Sequence, residues 1–414
     1  MEKKLTVCYV VQRTFPEPLT GSEIYIHELE KGMSNFQNTY ILATSRLISS
    51  INQSGCLEKG NVYVYKESPS WMITGPLIDI LRKDKSGKLL HFYAGLMDGF
   101  LHSISWGHYS RALQKHLYRG DYDIIHSAAV TDATVWCGWK AAVRTGKHFV
   151  ITPFMHTNSS DYLFPYVTRM LADASAVIAM TEYEKGMISN IGVDDSKIHV
   201  IPIGIDPSRY AARNASDFRS SHNIGSNDFV VLAPRKSEDK GFYQTMDALF
   251  ALPPLRRKIT LVMLDKTPVT GRSKIESYKS ALVKKGINVV DAGYVTGTEL
   301  VSALRSADVV VQPSQVDSLG IIYLESWACK KPVIAACTGS MKEVIKDNEN
   351  GLLVEYGNVK QIADALMNIA SDEKLGATLG INGFHLLNQK YTYREMVNRT
   401  RDLYSALLGH QGLS

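Results

Sequence analysis

Two carboxylates and two cations stand out by type and spacing. Asp317 and Glu325, with seven residues between them, lie in the stretch from Asp308 to Cys337, DVVVQPSQVDSLGIIYLESWACKKPVIAAC. Arg235 and Lys240, five apart, lie in LAPRKSEDKGF. A carboxylate accepts from sugar hydroxyls, an arginine grips phosphate oxygens in a fork, and a lysine adds a point charge. The four together suit a nucleotide diphosphate carrying a sugar. Glu325 is spaced to reach a ribose hydroxyl, and Asp317 a sugar hydroxyl at the other end. A solvated charged loop is the plain alternative for Arg235 and Lys240, because Lys236, Glu238 and Asp239 stand beside them.

The elements that must position these groups are readable in the same stretches. Residues 309–311 form an apolar run ending at Pro313-Ser314, the pattern of a buried strand. Gly320 opens a helical pattern with Ile321, Leu324 and Ala328 on one face. Lys331-Pro332 stops it, and the next strand begins at Val333. The free amides at the start of such a helix attract phosphate. Arg235 and Lys240 follow the strand 229–233, at the carboxyl end where a doubly wound sheet binds anions.

The first half offers fewer groups. Gly21-Ser22 stand between the first strand and the first helix, where glycine permits close approach of a ligand; Ser22 is equally an ordinary N-cap. His156 ends the strand-like HFVITPFMH. At that position it either lines the cleft, donating to a sugar hydroxyl or the leaving phosphate, or is a satisfied core histidine. His126, after Asp123-Ile124-Ile125, poses the same choice. Asp121-Tyr122-Asp123 looks like the Asp-x-Asp that holds a divalent metal in some sugar transferases, but it precedes its strand and so lies at the amino end. It is rejected as a metal site.

With 414 residues, two domains are expected, and 45% hydrophobic with 21% charged residues is ordinary globular composition. Strand patterns at 5–12, 39–43, 62–65, 124–125, 149–152, 177–179 and 199–203 alternate with helical ones at 22–33, 103–118, 134–144 and 182–191. The pattern restarts at 229–233, 259–264, 289–291, 308–312, 333–336 and 352–354, and a helical pattern at 393–408 ends the chain. The polar stretch 206–227 reads as a linker. Five cysteines without paired spacing argue for a reducing compartment, and no Cys/His spacing suggests zinc. A formal charge of +5 is too modest to propose nucleic acid as partner. No apolar run is long enough to span a membrane, and the run from Leu5 to Val11 ends at Gln12-Arg13 like a first strand, not a signal peptide. Within 71–106, aromatic and apolar residues flank the basic run RKDKSGK; this is either a surface for anionic membrane or an ordinary helix–loop–helix.

Taken together these residues resemble the family-4 retaining glycosyltransferases (glycosyl transferases group 1) of GT-B fold. Gly21-Ser22-Glu23 resembles the family's Gly-Gly loop, Asp123 to His126 its Asp-x-x-His strand, and Ile203 to Asp206 the turn before its linker. Arg235 to Gly241 matches the phosphate-gripping pair, Gly293-Tyr294-Val295 the segment beside the nucleobase, and Gln312 to Val333 the two-carboxylate signature. The resemblance implies an α/β architecture of two Rossmann-like domains facing a central cleft: an acceptor-side domain at 1–206, a donor domain at 207–390, and a C-terminal helix at 391–414 crossing back to the first. It implies a hexosyltransferase without cofactor or metal, working at a cytoplasmic address or at the cytoplasmic membrane face. Its donor would be a nucleotide-diphosphate sugar, and its acceptor a sugar, a lipid-linked glycan or a small molecule. Arg235 and Lys240 would neutralise the diphosphate, and Leu319, Gly320 and Ile321, following Ser318, would add amides. Glu325 would bind ribose, Asp317 the transferred sugar, His156 the sugar or leaving phosphate, and Gly21, Ser22, Tyr294 and Val295 would complete the donor site. Transfer would proceed by front-face attack with retention. Asp317 stands where the family usually has Glu, Ser22 and Lys330 where it has Gly, and Pro234 where Gly is common. The other readings are a non-catalytic GT-B partner subunit and, further off, a nucleotide-sugar epimerase.

Overall fold

The computed structural model describes residues 4–14, 21–45, 56–66, 109–155, 162, 165–211, 217–265 and 271–409. His156 and the segment 71–106, read either as a membrane surface or as an ordinary helix–loop–helix, lie outside them. The chain divides into two compact units: Met1–Pro202 with Arg394–Ser414, and Ile203–Tyr393.

The first unit is built on an eight-stranded sheet in the order β3-β4-β2-β1-β5-β6-β7-β8. Its strands are β1 (Thr6–Val10), β2 (Asn38–Ser45), β3 (Cys56–Lys59), β4 (Val62–Lys66), β5 (Ile124–Ala128), β6 (His148–Thr152), β7 (Ala176–Ala179) and β8 (Ile198–Val200). All neighbours are parallel except β3 and β4. Helices α1 (Gly21–Met33), α2 (Arg111–Arg119), α3 (Ala133–Thr145), α4 (Pro165–Asp173) and α5 (Glu182–Asn190) connect them. Parallel strands covered on both faces are buried throughout, as every residue of β5 and of β7 is.

The second unit has a six-stranded, wholly parallel sheet ordered β11-β10-β9-β12-β13-β14. It comprises β9 (Phe229–Ala233), β10 (Ile259–Leu264), β11 (Asn288–Gly293), β12 (Val309–Gln312), β13 (Val333–Ala336) and β14 (Leu352–Val354). Its helices are α6 (Phe218–Ser221), α7 (Phe242–Ala251), α8 (Arg272–Lys284), α9 (Gly297–Ser306), α10 (Ile321–Ala328), α11 (Met341–Val344), α12 (Val359–Ser371) and α13 (Glu373–Lys390). The strand order reverses between β9 and β12, and a ligand crevice opens at the carboxyl ends of the strands at such a point.

The stretch 206–227 is not a bare linker. Pro207–Tyr210 form a 3-10 turn capped by Asp206, whose Oδ1 accepts from the Ser208 amide at 3.0 Å. Phe218 is buried, and Arg219 donates to the carbonyls of Ser306 and Asp228 and to Asp308 Oδ2. The last helix, α14 (Tyr393–Leu407), joins the first unit from Arg394 on. Its Tyr404 hydroxyl lies 2.6 Å from His126 Nδ1, while His126 Nε2 lies 2.8 Å from Thr152 Oγ1 on β6. His126 is fully buried, and burial pushes its pKa down to about 3. It is a satisfied core histidine that ties α14 to the sheet.

Candidate active site

Two loops of the second unit meet at the switch point. The first leaves β9 through Pro234, Arg235 and Lys236 into the 3-10 turn Glu238–Lys240; the second leaves β12 through Pro313 and reaches the start of α10. They are joined by backbone, since the Gln315 amide donates to the Asp239 carbonyl at 2.7 Å. Gly241 makes the approach possible. Its φ is +73°, and a Cβ there would lie 2.4 Å from the Pro313 carbonyl oxygen. A left-handed backbone and a backbone neighbour together admit only glycine.

Across this joint Lys240 Nζ donates to Asp317 Oδ1 and to the Val316 carbonyl, both at 2.9 Å. Asp317 Oδ2 accepts from Gln312 Nε2 at 3.3 Å. Arg235 lies 3.6 Å from Asp265, which follows β10, and its side chain is 45% exposed, so the guanidinium is accessible to a ligand. Lys236 turns the other way: it is buried and ion-paired with Asp291 on β11, pinning the loop to the sheet. The Asp317 loop is fixed from below, where the Tyr323 hydroxyl donates to the Gln312 carbonyl at 2.5 Å. Gly320, the N-cap of α10, has φ +77° with the Tyr323 ring beneath it; a Cβ would fall 2.4 Å from that ring.

Glu325 lies one turn into α10. Its Oε1 accepts from the Tyr210 hydroxyl at 2.8 Å. Burial pushes its pKa up to about 7, against the opposing pull of the Tyr210 hydrogen bond and the Arg235 charge. On β11's side, Tyr294 is 39% exposed while Val295 is buried, as suits a segment with one face open to a ring. Ser318 and Leu319 are buried beneath the loop.

The structure thus brings Arg235, Lys240, Asp317, Ser318, Leu319, Gly320, Ile321 and Glu325 to one carboxyl edge. Gly21 and Ser22 open α1 in the first unit, at the carboxyl end of β1. That edge also carries groups the sequence did not signal: Arg13 lies 3.8 Å from buried Glu23, and burial, then the Glu23 charge, pushes Asp132 up to about 8. In the second unit Tyr210 and Asp265 were likewise unforeseen. Asp265 had a faint signal, its position after an apolar strand; Tyr210 had none. Asp123 has a structural task at the amino edge, where its Oδ2 accepts from the Thr6 amide at 2.8 Å.

Comparison with known proteins identifies the family and the fold. Residues 214–385 match the family model described as glycosyl transferases group 1, and residues 91–209 match glycosyltransferase family 4. A D-inositol 3-phosphate glycosyltransferase of Actinosynnema mirum is 27% identical over 327 residues, 72% of this chain and 73% of the relative. A GDP-mannose-dependent alpha-(1-6)-phosphatidylinositol monomannoside mannosyltransferase of Mycolicibacterium smegmatis is 27% identical over 56% of this chain and 63% of its own. Among solved structures, the sucrose-phosphate synthase of Thermosynechococcus elongatus superposes with a TM-score of 0.74 at 19% identity, over 99% of this chain and 100% of the other. Anabaena HepE, crystallised with UDP and glucose, gives 0.71 at 17% identity, over 97% and 100%. These likenesses show the GT-B fold, and with the two family matches they establish that the chain belongs to the group 1, family-4 glycosyltransferases.

Proposed function

We propose that this glycosyltransferase moves a sugar from a nucleotide-diphosphate donor to a hydroxyl-bearing acceptor with retention of anomeric configuration, by front-face attack and without a metal. The observation that carries the reading is the Lys240–Asp317 pair spanning the switch point, with Glu325 one turn deeper on α10. Arg235 and Lys240 neutralise the diphosphate and hold its charge as it leaves, and the amides of Leu319, Gly320 and Ile321 add donors at the helix start. Glu325 accepts from the ribose, and Asp317 takes a hydroxyl of the transferred sugar. Tyr294 and Val295 flank the base, and Gly21, Ser22 and His156 serve the sugar side. The acceleration comes from positioning and charge stabilisation, with the departing phosphate drawing the acceptor proton.

The acceptor is a glycan, a lipid-linked species or a small polyol; the relatives named for inositol phosphate and for a phosphatidylinositol mannoside support that range. No helix among the described residues is long and apolar enough to cross a membrane, and a peripheral address at the cytoplasmic face suits a lipid-linked acceptor. A thermal-shift screen of UDP-, GDP- and ADP-sugars identifies the donor. Slow hydrolysis of that donor, followed by NMR of the released anomer with and without EDTA, tests chemistry and metal need together. Turnover abolished by EDTA, or release of the inverted anomer as first product, would overturn the mechanism.

A further inference from the structure

Tyr210 reaches Glu325 from an element that no catalytic pattern in the sequence marked. It ends the 3-10 turn Pro207–Tyr210, and that turn is anchored twice. Asp206 Oδ1 accepts from the Ser208 amide at 3.0 Å and the Ser208 hydroxyl at 2.6 Å. Just before it, Ile205 is bridged to Thr392: its amide donates to the Tyr391 carbonyl at 3.0 Å, and its carbonyl accepts from the Tyr393 amide at 2.8 Å. A side chain on so short and doubly fixed a turn has little freedom to wander. Its hydroxyl spends its one proton on Glu325 Oε1, at 2.8 Å. A carboxylate has two oxygens, and this bond fixes the rotamer while leaving Oε2 as an acceptor.

We propose that Tyr210 is the positioning residue of the ribose site: its hydroxyl orients Glu325 and holds it as the carboxylate that accepts from the ribose 2′-hydroxyl. The inference rests on the assignment of Glu325 to ribose. Among the described residues, the charged and titratable groups bearing on Glu325 are few. From the 3-10 turn comes Tyr210, itself under the charge of Arg209, whose Nε lies 3.8 Å from Asp206. The β9 loop contributes the Arg235 charge, and the C-cap of α10 contributes Cys329. The β13 strand is wholly apolar, and α13 meets the end of α10 through Gly380 and Gly383. Burial drives Glu325 toward its neutral form, with a pKa of about 7, and a hydrogen bond donated to the charged form opposes this. Removing the hydroxyl therefore lets burial prevail at neutral pH.

The test titrates UDP and GDP, each beside its 2′-deoxy form, into wild type, Tyr210→Phe and Glu325→Gln between pH 6 and 9. Wild type is expected to prefer the ribose form about tenfold, with the preference fading as pH falls through about 7. In Tyr210→Phe the midpoint of that fading moves up by about one pH unit, while binding of the 2′-deoxy form is unchanged. Glu325→Gln loses the pH dependence altogether. Unchanged binding of the 2′-deoxy form reports that Tyr210→Phe retains the fold of the site. A Tyr210→Phe profile superposable on wild type overturns the inference alone. A wild type that does not distinguish ribose from deoxyribose overturns the assignment of Glu325 and the inference with it.

Discussion

Replacing Lys240 by alanine separates its bond to Asp317 from the phosphate contact proposed for it. Its Nζ bonds Asp317 Oδ1 and the Val316 carbonyl, both at 2.9 Å, and the side chain is only 22% exposed. A hydrogen bond between a charged donor and a phosphate oxygen is worth about 1.5–3 kcal/mol, so its loss weakens nucleoside diphosphate binding about ten- to 150-fold. A second loss follows, because Asp317, 13% exposed, is left facing the phosphates without its cation. Adding Asp317→Asn removes that repulsion and recovers part of the affinity, with a coupling energy of about 1 kcal/mol between the two sites. Calorimetry of all four proteins with UDP, GDP and ADP measures the cycle. If Lys240→Ala binds as wild type does, the cation does not meet the diphosphate. If the double variant binds as tightly as Asp317→Asn alone, Lys240 serves only its carboxylate partner, and the phosphate assignment fails.

Three further perturbations probe the supports. Gly241→Ala puts a Cβ 2.4 Å from the Pro313 carbonyl at φ +73°, costing about 1–2 kcal/mol for the backbone and about 1–3 for overpacking; calorimetric unfolding and diphosphate titration should both weaken, and unchanged values would mean the two loops are not fixed there. Glu325 is raised from its ordinary 4.5 to about 7, so its contribution to stability is complete below 4.5 and lost as pH rises through 7, at most about 3 kcal/mol; thermal unfolding of Glu325→Gln should therefore fall less between pH 5 and 8 than wild type, and parallel curves would disprove the shift. Glu184 accepts from the Met155 amide at 2.6 Å and the Met180 amide at 2.7 Å; Glu184→Ala leaves both buried donors unpaired and should cost about 2–5 kcal/mol in urea unfolding, a loss under about 0.5 showing that water replaces the carboxylate.

Buried parallel strands announced themselves as largely apolar runs. Those at 229–233, 259–264, 333–336 and 352–354 begin and end where the sequence puts them. The edge strand β3 was invisible because only Cys56 of its four residues is buried, which leaves no alternation to read. The apparent linker misled for another reason. Its polar composition hid Phe218, and Arg219 works through carbonyls nearly ninety residues away at Ser306. The same limit governs the site. Arg235, Lys240, Asp317 and Glu325 were legible because each lies next to an element whose direction the pattern reveals. Tyr210 is 115 residues from Glu325, and nothing in its neighbourhood points across that distance. His126 was ambiguous on position and was settled by Tyr404, 278 residues on.

That last pairing bears on how the protein is made. The first unit is discontinuous: its sheet is complete by Val200, yet the hydroxyl that meets His126 Nδ1 belongs to the helix beginning at Tyr393. On a ribosome, domains fold as they emerge. Here the second unit, Ile203–Tyr393, emerges in full before the last segment of its predecessor does. Until then the nascent first unit lacks the tyrosine that meets its buried imidazole, along with Met396, Val397 and Leu403, which are buried in the finished protein. The unit synthesised first is therefore the last to have all of its residues available.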